Sequence, residues 1–113
     1  MFAMGNPPFR PLREIEREAD RGDLRMAVSL SRDYSRERGH PIPLGVALRL
    51  LPLVAQESPV EYDTWALRWL ARWITETPAA TVVRAVEVAV ALADLPGDPD
   101  AFEMLQELCR WSP

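Results

Sequence analysis

Residues 58–76 read SPVEYDTWALRWLARWITE, and this stretch carries the clearest helix signal of the chain. Ser58 is a favoured N-cap residue, Pro59 suits the first turn of a helix, and Glu61 completes a capping-box pattern. Beyond these residues the apolar side chains recur every three or four positions, which is the period of an amphipathic α-helix. The stretch therefore predicts a helix from residue 59 to about residue 76.

Outward from this helix, the same combination of caps, prolines and apolar periodicity predicts five more helices. Their expected ranges are 11–20, 24–38, 43–57, 78–95 and 99–111. Thr77 and Pro78 are expected to open the fifth helix as a cap and a first-turn proline. Nearly all of the 11 prolines fall at a predicted boundary. Pro52 is the exception, and it predicts a kink or break in the third helix because proline has no N–H to donate.

The fold class predicted from these segments is all-α, with five to six short helices in one domain. Residues 1–9 are expected to form an irregular leader and residues 10–113 the helical domain. Two arrangements are open, a compact bundle or a short, α-solenoid-like stack of antiparallel helix hairpins. The second is suggested by the similarity of residues 40–73 to residues 78–111 after a shift of about 38 positions. Any two Ala/Leu/Val-rich helix pairs resemble each other in this way, so the repeat is a hypothesis.

The fifth predicted helix is apolar around most of its circumference. Among residues 82–95 only Arg84, Glu87 and Asp94 are charged, and they lie on a narrow strip. A helix that is apolar nearly all round is normally buried on several sides. We therefore expect this helix to be central.

Composition restricts the classes of function. All 13 basic residues are arginine, and with 17 acidic residues the net charge is −4, which argues against non-specific binding of nucleic acid. The single cysteine, Cys109, allows no internal disulfide and fits a reducing cytoplasm. The N-terminal residues do not have the pattern of a signal peptide, and no apolar run is long enough to cross a bilayer. We expect a cytoplasmic protein without a membrane segment.

The fourth predicted helix carries the residues most suggestive of a binding surface. Trp65, Trp69 and Trp73 are spaced four apart and share one face, with Tyr62 beside them. The predicted partner-binding residues are Tyr62, Trp65, Arg68, Trp69, Arg72 and Trp73, because Trp, Tyr and Arg dominate binding hot spots. A second apolar face consists of Leu67, Leu70 and Ile74. The alternative interpretation is that the helix lies between two neighbours, so that both faces belong to the core.

The second predicted helix carries an arginine stripe on its outward face. Arg25, Arg32 and Arg36 form a candidate site for an anion or a nucleic acid. The alternative interpretation is an ordinary solvated face, whose charge is balanced by Asp33 and by the acidic residues of the first helix.

No arrangement typical of catalysis, of a metal site or of a cofactor site is recognisable in the sequence. His40 is the only histidine, and one His with one Cys cannot supply the four ligands of a zinc site. The five glycines are scattered singly, so no phosphate-binding loop is predicted. The sequence therefore favours a non-enzymatic protein-interaction module, an adaptor or accessory subunit that binds another protein or a second copy of itself.

Two other functions remain open from the sequence. The first is a nucleic-acid-associated factor that uses the arginine stripe of the second helix. The second is a small helical ligand-binding protein or enzyme, with a pocket near Pro52 between the third and fifth helices.

Overall fold

The computed structural model describes residues 10–78 and 80–110, and this part of the chain contains six α-helices and no strand. The helices are α1 (Arg10–Asp20), α2 (Leu24–Arg38), α3 (Leu44–Glu57), α4 (Pro59–Glu76), α5 (Val82–Asp94) and α6 (Pro99–Arg110). The predicted all-α class is therefore confirmed. The expected leader, residues 1–9, lies outside the described residues, as does Trp111.

Several helix boundaries use local hydrogen bonds that the sequence predicts. The Asp23 carboxylate accepts a hydrogen bond from the Met26 backbone N–H at 3.0 Å and caps α2. Gly39 ends α2 in the left-handed conformation, with φ of 75°, which favours glycine. The α2 boundaries therefore coincide with those expected from the sequence.

Other boundaries differ from the prediction. The Ser58 hydroxyl donates to the Glu61 carboxylate at 2.8 Å instead of accepting from a backbone N–H, so the expected capping box is not formed. The prediction that Thr77 caps α5 is wrong, because Thr77 ends α4. The α5 helix begins later, where the Thr81 hydroxyl accepts from the Arg84 N–H at 3.1 Å. Likewise, α3 runs through Pro52 as one helix and is not split there.

Helices that are adjacent in sequence pair as three hairpins, α1/α2, α3/α4 and α5/α6. Leu44 at the start of α3 bonds to Trp69 in the second half of α4, so this pair is antiparallel. The hairpins do not pack on one another in a repeating way, because α3 contacts α1 and α2 on one side and α6 on the other, whereas α4 contacts α5.

Positions related by the 38-residue shift have different environments. Leu48 is buried whereas its counterpart Val86 is exposed, and Leu67 is exposed whereas its counterpart Leu105 is buried. The two halves of the proposed repeat therefore do not bury equivalent positions, and of the two predicted arrangements the helix bundle is the one that fits the structure.

The central helix is α3, and the expectation that α5 is central is wrong. Helix α3 packs on four other helices, whereas α5 packs only on α4 and α6. Two groups of buried side chains meet at α3. One joins α3 to α4, α5 and α6, and the other joins α3 to α1 and α2. Helix α5 is peripheral because its buried residues, Val88, Ala91 and Leu92, occupy only one arc of its surface.

Candidate functional site

The tryptophan stripe of α4 faces the interior of the chain. Trp69 is 3% exposed and Trp73 is 2% exposed, and Tyr62 is also buried. Only Trp65 of the four aromatic residues is half-buried, and it contacts both core groups. Of the two interpretations left open by the sequence, the packing therefore supports the core interpretation for Tyr62, Trp69 and Trp73.

Hydrogen bonds fix two of these aromatic side chains. The Tyr62 hydroxyl donates to the Leu92 carbonyl at 2.6 Å. The Leu92 carbonyl is in the last turn of α5, and in a continuing helix it would accept a hydrogen bond from the N–H four residues later. Residue 96 is proline, which has no N–H, so the Tyr62 hydroxyl supplies the hydrogen bond that the helix cannot. The Trp69 Nε1–H donates to the Leu44 carbonyl at 3.0 Å. These bonds assign the two residues to holding α4 against α5 and α3.

Burial also changes the proton affinity of the Tyr62 hydroxyl. It raises the pKa of Tyr62 from 10.0 to about 12, and the neighbouring Asp63 carboxylate adds to the rise. The neutral hydroxyl is therefore the form that the folded chain favours.

The residues beside the tryptophan stripe line an open groove. The groove has a volume of about 610 Å³ and lies between α2 and α4, which do not contact each other, with α3 as its floor. Its floor and lower walls are apolar, formed by Val28, Ile42, Ala47, Leu50, Leu51, Trp65 and Trp69. Its upper walls carry Arg32 and Arg36 on α2 and Arg68 and Arg72 on α4. The structure thus brings together four of the six predicted partner-binding residues and two of the three predicted anion-binding arginines.

The four groove arginines differ in their ion pairs. Arg72 pairs with Glu76 at 2.8 Å, and Arg36 approaches Asp33 at 3.5 Å. Arg32 and Arg68 have no ion-pair partner among the described residues. The guanidinium of Arg72 is held by the Glu76 carboxylate. A cation–π contact among the described residues is formed by Arg38, which lies over the ring of Tyr34.

The arginine stripe of α2 also faces a second, more polar cleft. Arg25, Arg32 and Arg36 line this cleft together with Glu57 and Glu61. Two of the four acidic residues of α1, Glu16 and Asp20, pair with Arg49 at 3.3 and 2.6 Å. Asp33 also lines the cleft, 3.5 Å from Arg36, so the acidic residues that lie beside the stripe in this cleft are Asp33, Glu57 and Glu61.

A different apolar surface remains open to solvent around α5. Val82, Val86 and Val90 are spaced four apart and are 82%, 57% and 55% exposed. Leu67 of α4, at 64%, and Met104 of α6 are exposed near them. We call these five residues the valine face. The exposure of this face is not predictable from the sequence, because an uncharged strip on a helix predicts burial equally well.

Val82, Val86 and Val90 form the ridge of the valine face, and two shallow grooves, called furrows below, flank this ridge. One, of about 580 Å³, lies between α5 and α6 and is lined by Val86, Val90, Met104 and Leu108. The other, of about 280 Å³, lies between α4 and α5 and is lined by Leu67, Leu70, Ala89 and Ala93. The surface is therefore a ridge with a furrow on each side. The lining of the first furrow also includes Arg84, Glu87 and Glu107, and that of the second includes Asp63.

The chemically reactive residues are dispersed. His40 is exposed and its ring lies edge-on to Tyr34, with a centroid separation of 5.6 Å. Burial raises the pKa of the Cys109 thiol from 9.0 to about 11, which disfavours the reactive thiolate. Within residues 10–78 and 80–110, no three His, Cys, Asp or Glu side chains are grouped so as to hold a metal ion. None of the grooves and clefts described above is lined by residues of both α3 and α5, where the sequence predicts a pocket.

None of the described helices has both the length and the apolar character needed to cross a membrane. Comparison of the chain with protein-family models, with curated proteins and with solved structures gives no match.

Proposed function

We propose that the chain is a non-enzymatic protein-interaction module, an adaptor or accessory subunit, and that its valine face binds a second copy of the chain. The observation that carries this proposal is the exposure of Val82, Val86 and Val90 in one row. Isolated apolar residues are common on protein surfaces, but a contiguous apolar patch is typical of interaction sites.

The shape of the valine face supports a second copy as the occupant. A ridge and its two flanking furrows lie on the same surface, so two copies related by a two-fold axis place the ridge of each in a furrow of the other. The charges beside the ridge are compatible with this arrangement, because Arg84 pairs with Glu87 at 3.4 Å and Arg110 pairs with Glu107 at 3.2 Å. These pairs balance the charges beside the furrow between α5 and α6, and Asp63 is the one charged residue, among those described, that lines the furrow between α4 and α5.

Measurement of the molar mass by light scattering, over a range of chain concentrations, tests this proposal. The wild-type chain is expected to be a dimer at high concentration. Val86→Asp is expected to raise the dissociation constant of the dimer roughly tenfold or more, because it places an unpaired charge in the buried interface. Because Val86 is exposed in the monomer, the variant is expected to keep its helical circular dichroism.

Val60→Asp is the matched control. Val60 is exposed on α4 but lines neither furrow, and the substitution changes the net charge equally. It is expected to leave the dimer intact. A wild-type chain that stays monomeric at every concentration, or equal dissociation by both variants, contradicts the proposal.

The nucleic-acid alternative has less support than the interaction module. Glu57 and Glu61 share a cleft with Arg25 and Arg32, and they oppose a phosphate backbone there. The cytoplasm remains the proposed compartment, on the ground of the single cysteine.

A further inference from the structure

We infer that the groove between α2 and α4 is a binding site for an acidic amphipathic helix of a partner protein. This inference goes beyond the proposed dimer, because it concerns another surface and does not depend on self-association. It rests on the apolar floor, on the positions of the four arginines and on the length of the groove.

The groove has two arginines on each of its two helical walls. Arg32 and Arg36 are four residues apart on α2, and Arg68 and Arg72 are four residues apart on α4. With a rise of 1.5 Å per residue, the two arginines of each row are separated by about 6 Å along the helix axis. Each row therefore matches the spacing of carboxylates on successive turns of a bound helix.

The electrostatics of the groove select an acidic occupant. Among the described residues, four arginines and no acidic residue line it, although the chain as a whole has a net charge of −4. Arg32 and Arg68, one on each wall, have no ion-pair partner among those residues and are exposed. Residues 1–9 of the chain contain no Asp or Glu, so they do not offer the matching charge.

The apolar floor selects an amphipathic occupant. Trp65 is half-buried there, beside Ala47 and Leu50, and an apolar side chain placed on these residues loses contact with water. On α2 the lining extends from Val28 to Arg36, which spans about 12 Å, or about two helical turns. A helix with apolar residues at positions i, i+3, i+4 and i+7 presents a stripe of this length.

The distribution of charge distinguishes a helix from a small anionic amphiphile such as a fatty acid. A fatty acid has one charged end, and a single cluster of cations at one end of a pocket recognises it. Here the cations lie along both walls, on either side of the apolar floor. A helix with acidic residues on both edges of its apolar stripe satisfies both rows at once.

The probe for this inference is a fluorescein-labelled synthetic peptide with leucines at i, i+3, i+4 and i+7 and glutamates on both edges of that stripe. Its binding to the wild-type chain is measured by fluorescence anisotropy at low and high salt. One control peptide has lysine in place of each glutamate, and a second has the acidic sequence scrambled so that the stripe is lost. We expect saturable binding of the acidic amphipathic peptide only, weakened by salt.

The variant that tests the site is Arg32→Glu with Arg68→Glu, which reverses the charge on both walls. It is expected to weaken binding roughly ten- to hundredfold. The matched control is Arg13→Glu with Arg17→Glu, which changes the net charge equally at exposed positions of α1 outside the groove and outside the valine face, and is expected to have little effect. Ala47→Leu fills the floor without a change of charge and is also expected to weaken binding. Circular dichroism melts establish that each variant is folded.

Several outcomes overturn the inference. Equal binding of the acidic and lysine peptides excludes charge selection, and equal weakening by the two double variants places the peptide elsewhere. Binding of oleate in the groove without binding of the peptide assigns the site to a small amphiphile. Binding of a single-stranded oligonucleotide that Arg32→Glu abolishes, without peptide binding, assigns these arginines to nucleic acid.

Discussion

At the scale of single residues, the aromatic side chains of α4 differ in what their polar atoms do. The Tyr62 hydroxyl and the Trp69 Nε1–H each donate to a backbone carbonyl of another helix. The Trp73 Nε1–H is buried and has no hydrogen-bond partner among the described residues. A buried donor without a partner loses its hydration without compensation, so these two equally buried tryptophans contribute differently to stability.

The substitutions Trp69→Phe and Trp73→Phe separate packing from hydrogen bonding. Both remove similar indole volume from the core, but only Trp69→Phe also removes a hydrogen bond, the one to Leu44. We expect Trp69→Phe to lower the free energy of unfolding by about 1 kcal/mol more than Trp73→Phe. Urea denaturation followed by circular dichroism measures both. An equal loss, or a larger loss for Trp73→Phe, contradicts the assigned hydrogen bond.

At the scale of helices, the N-terminal ends of α2 and α4 show that two similar N-cap signals in the sequence lead to different hydrogen bonds. Asp23 precedes α2 and accepts a hydrogen bond from the backbone N–H of Met26. Ser58 precedes α4 with an apparently better signal, but its hydroxyl is used by the Glu61 carboxylate. The side chain at a cap position has a choice of partners, and the sequence alone does not determine which partner it takes.

The substitutions Asp23→Ala and Ser58→Ala test this difference. Asp23→Ala is expected to destabilise the chain by about 1 kcal/mol, because it leaves an N–H of the first turn of α2 without its acceptor. Ser58→Ala is expected to cost less than about 0.5 kcal/mol, since it removes an exposed bond between two side chains. Thermal unfolding of both variants measures the difference. A comparable loss from Ser58→Ala indicates that the hydroxyl caps α4 in solution.

Element boundaries were largely predictable because caps, glycines and prolines act locally. The boundaries of α2 and the start of α4 follow from residues within a few positions of each end. The orientation of α4 was not predictable, because periodicity groups Trp69 with Trp73 and Leu67 with Ile74 without showing which face meets the core. The groove was not predictable either, since α2 and α4 are brought together only through α3.

At the scale of the whole molecule, the three hairpins form an elongated rather than a spherical domain. The extents are 51 × 32 × 22 Å and the radius of gyration is 14.7 Å, against about 13 Å for a compact domain of this length. Helix α3 is the element common to both buried groups, and the Arg49 side chain extends from it to Glu16 and Asp20 of α1.

The chain is also expected to lose stability at alkaline pH through the half-buried thiol of Cys109 and the buried hydroxyl of Tyr62. The pKa of Cys109 is about 11 instead of 9.0, and that of Tyr62 is about 12 instead of 10.0. Both groups bind their protons more tightly in the folded chain than in the unfolded chain. Their contributions are therefore fully present below pH 9 and are lost as the pH rises, for Cys109 between about 9 and 11 and for Tyr62 between about 10 and 12.

Urea midpoints measured from pH 8 upward test this expectation. The midpoint is expected to fall above about pH 9. Cys109→Ala is expected to flatten the first part of the decline and Tyr62→Phe the part above pH 10, because each substitution removes one titrating group. If the curve of Tyr62→Phe declines above pH 10 as steeply as that of the wild type, this part of the decline does not arise from the hydroxyl that joins α4 to the end of α5.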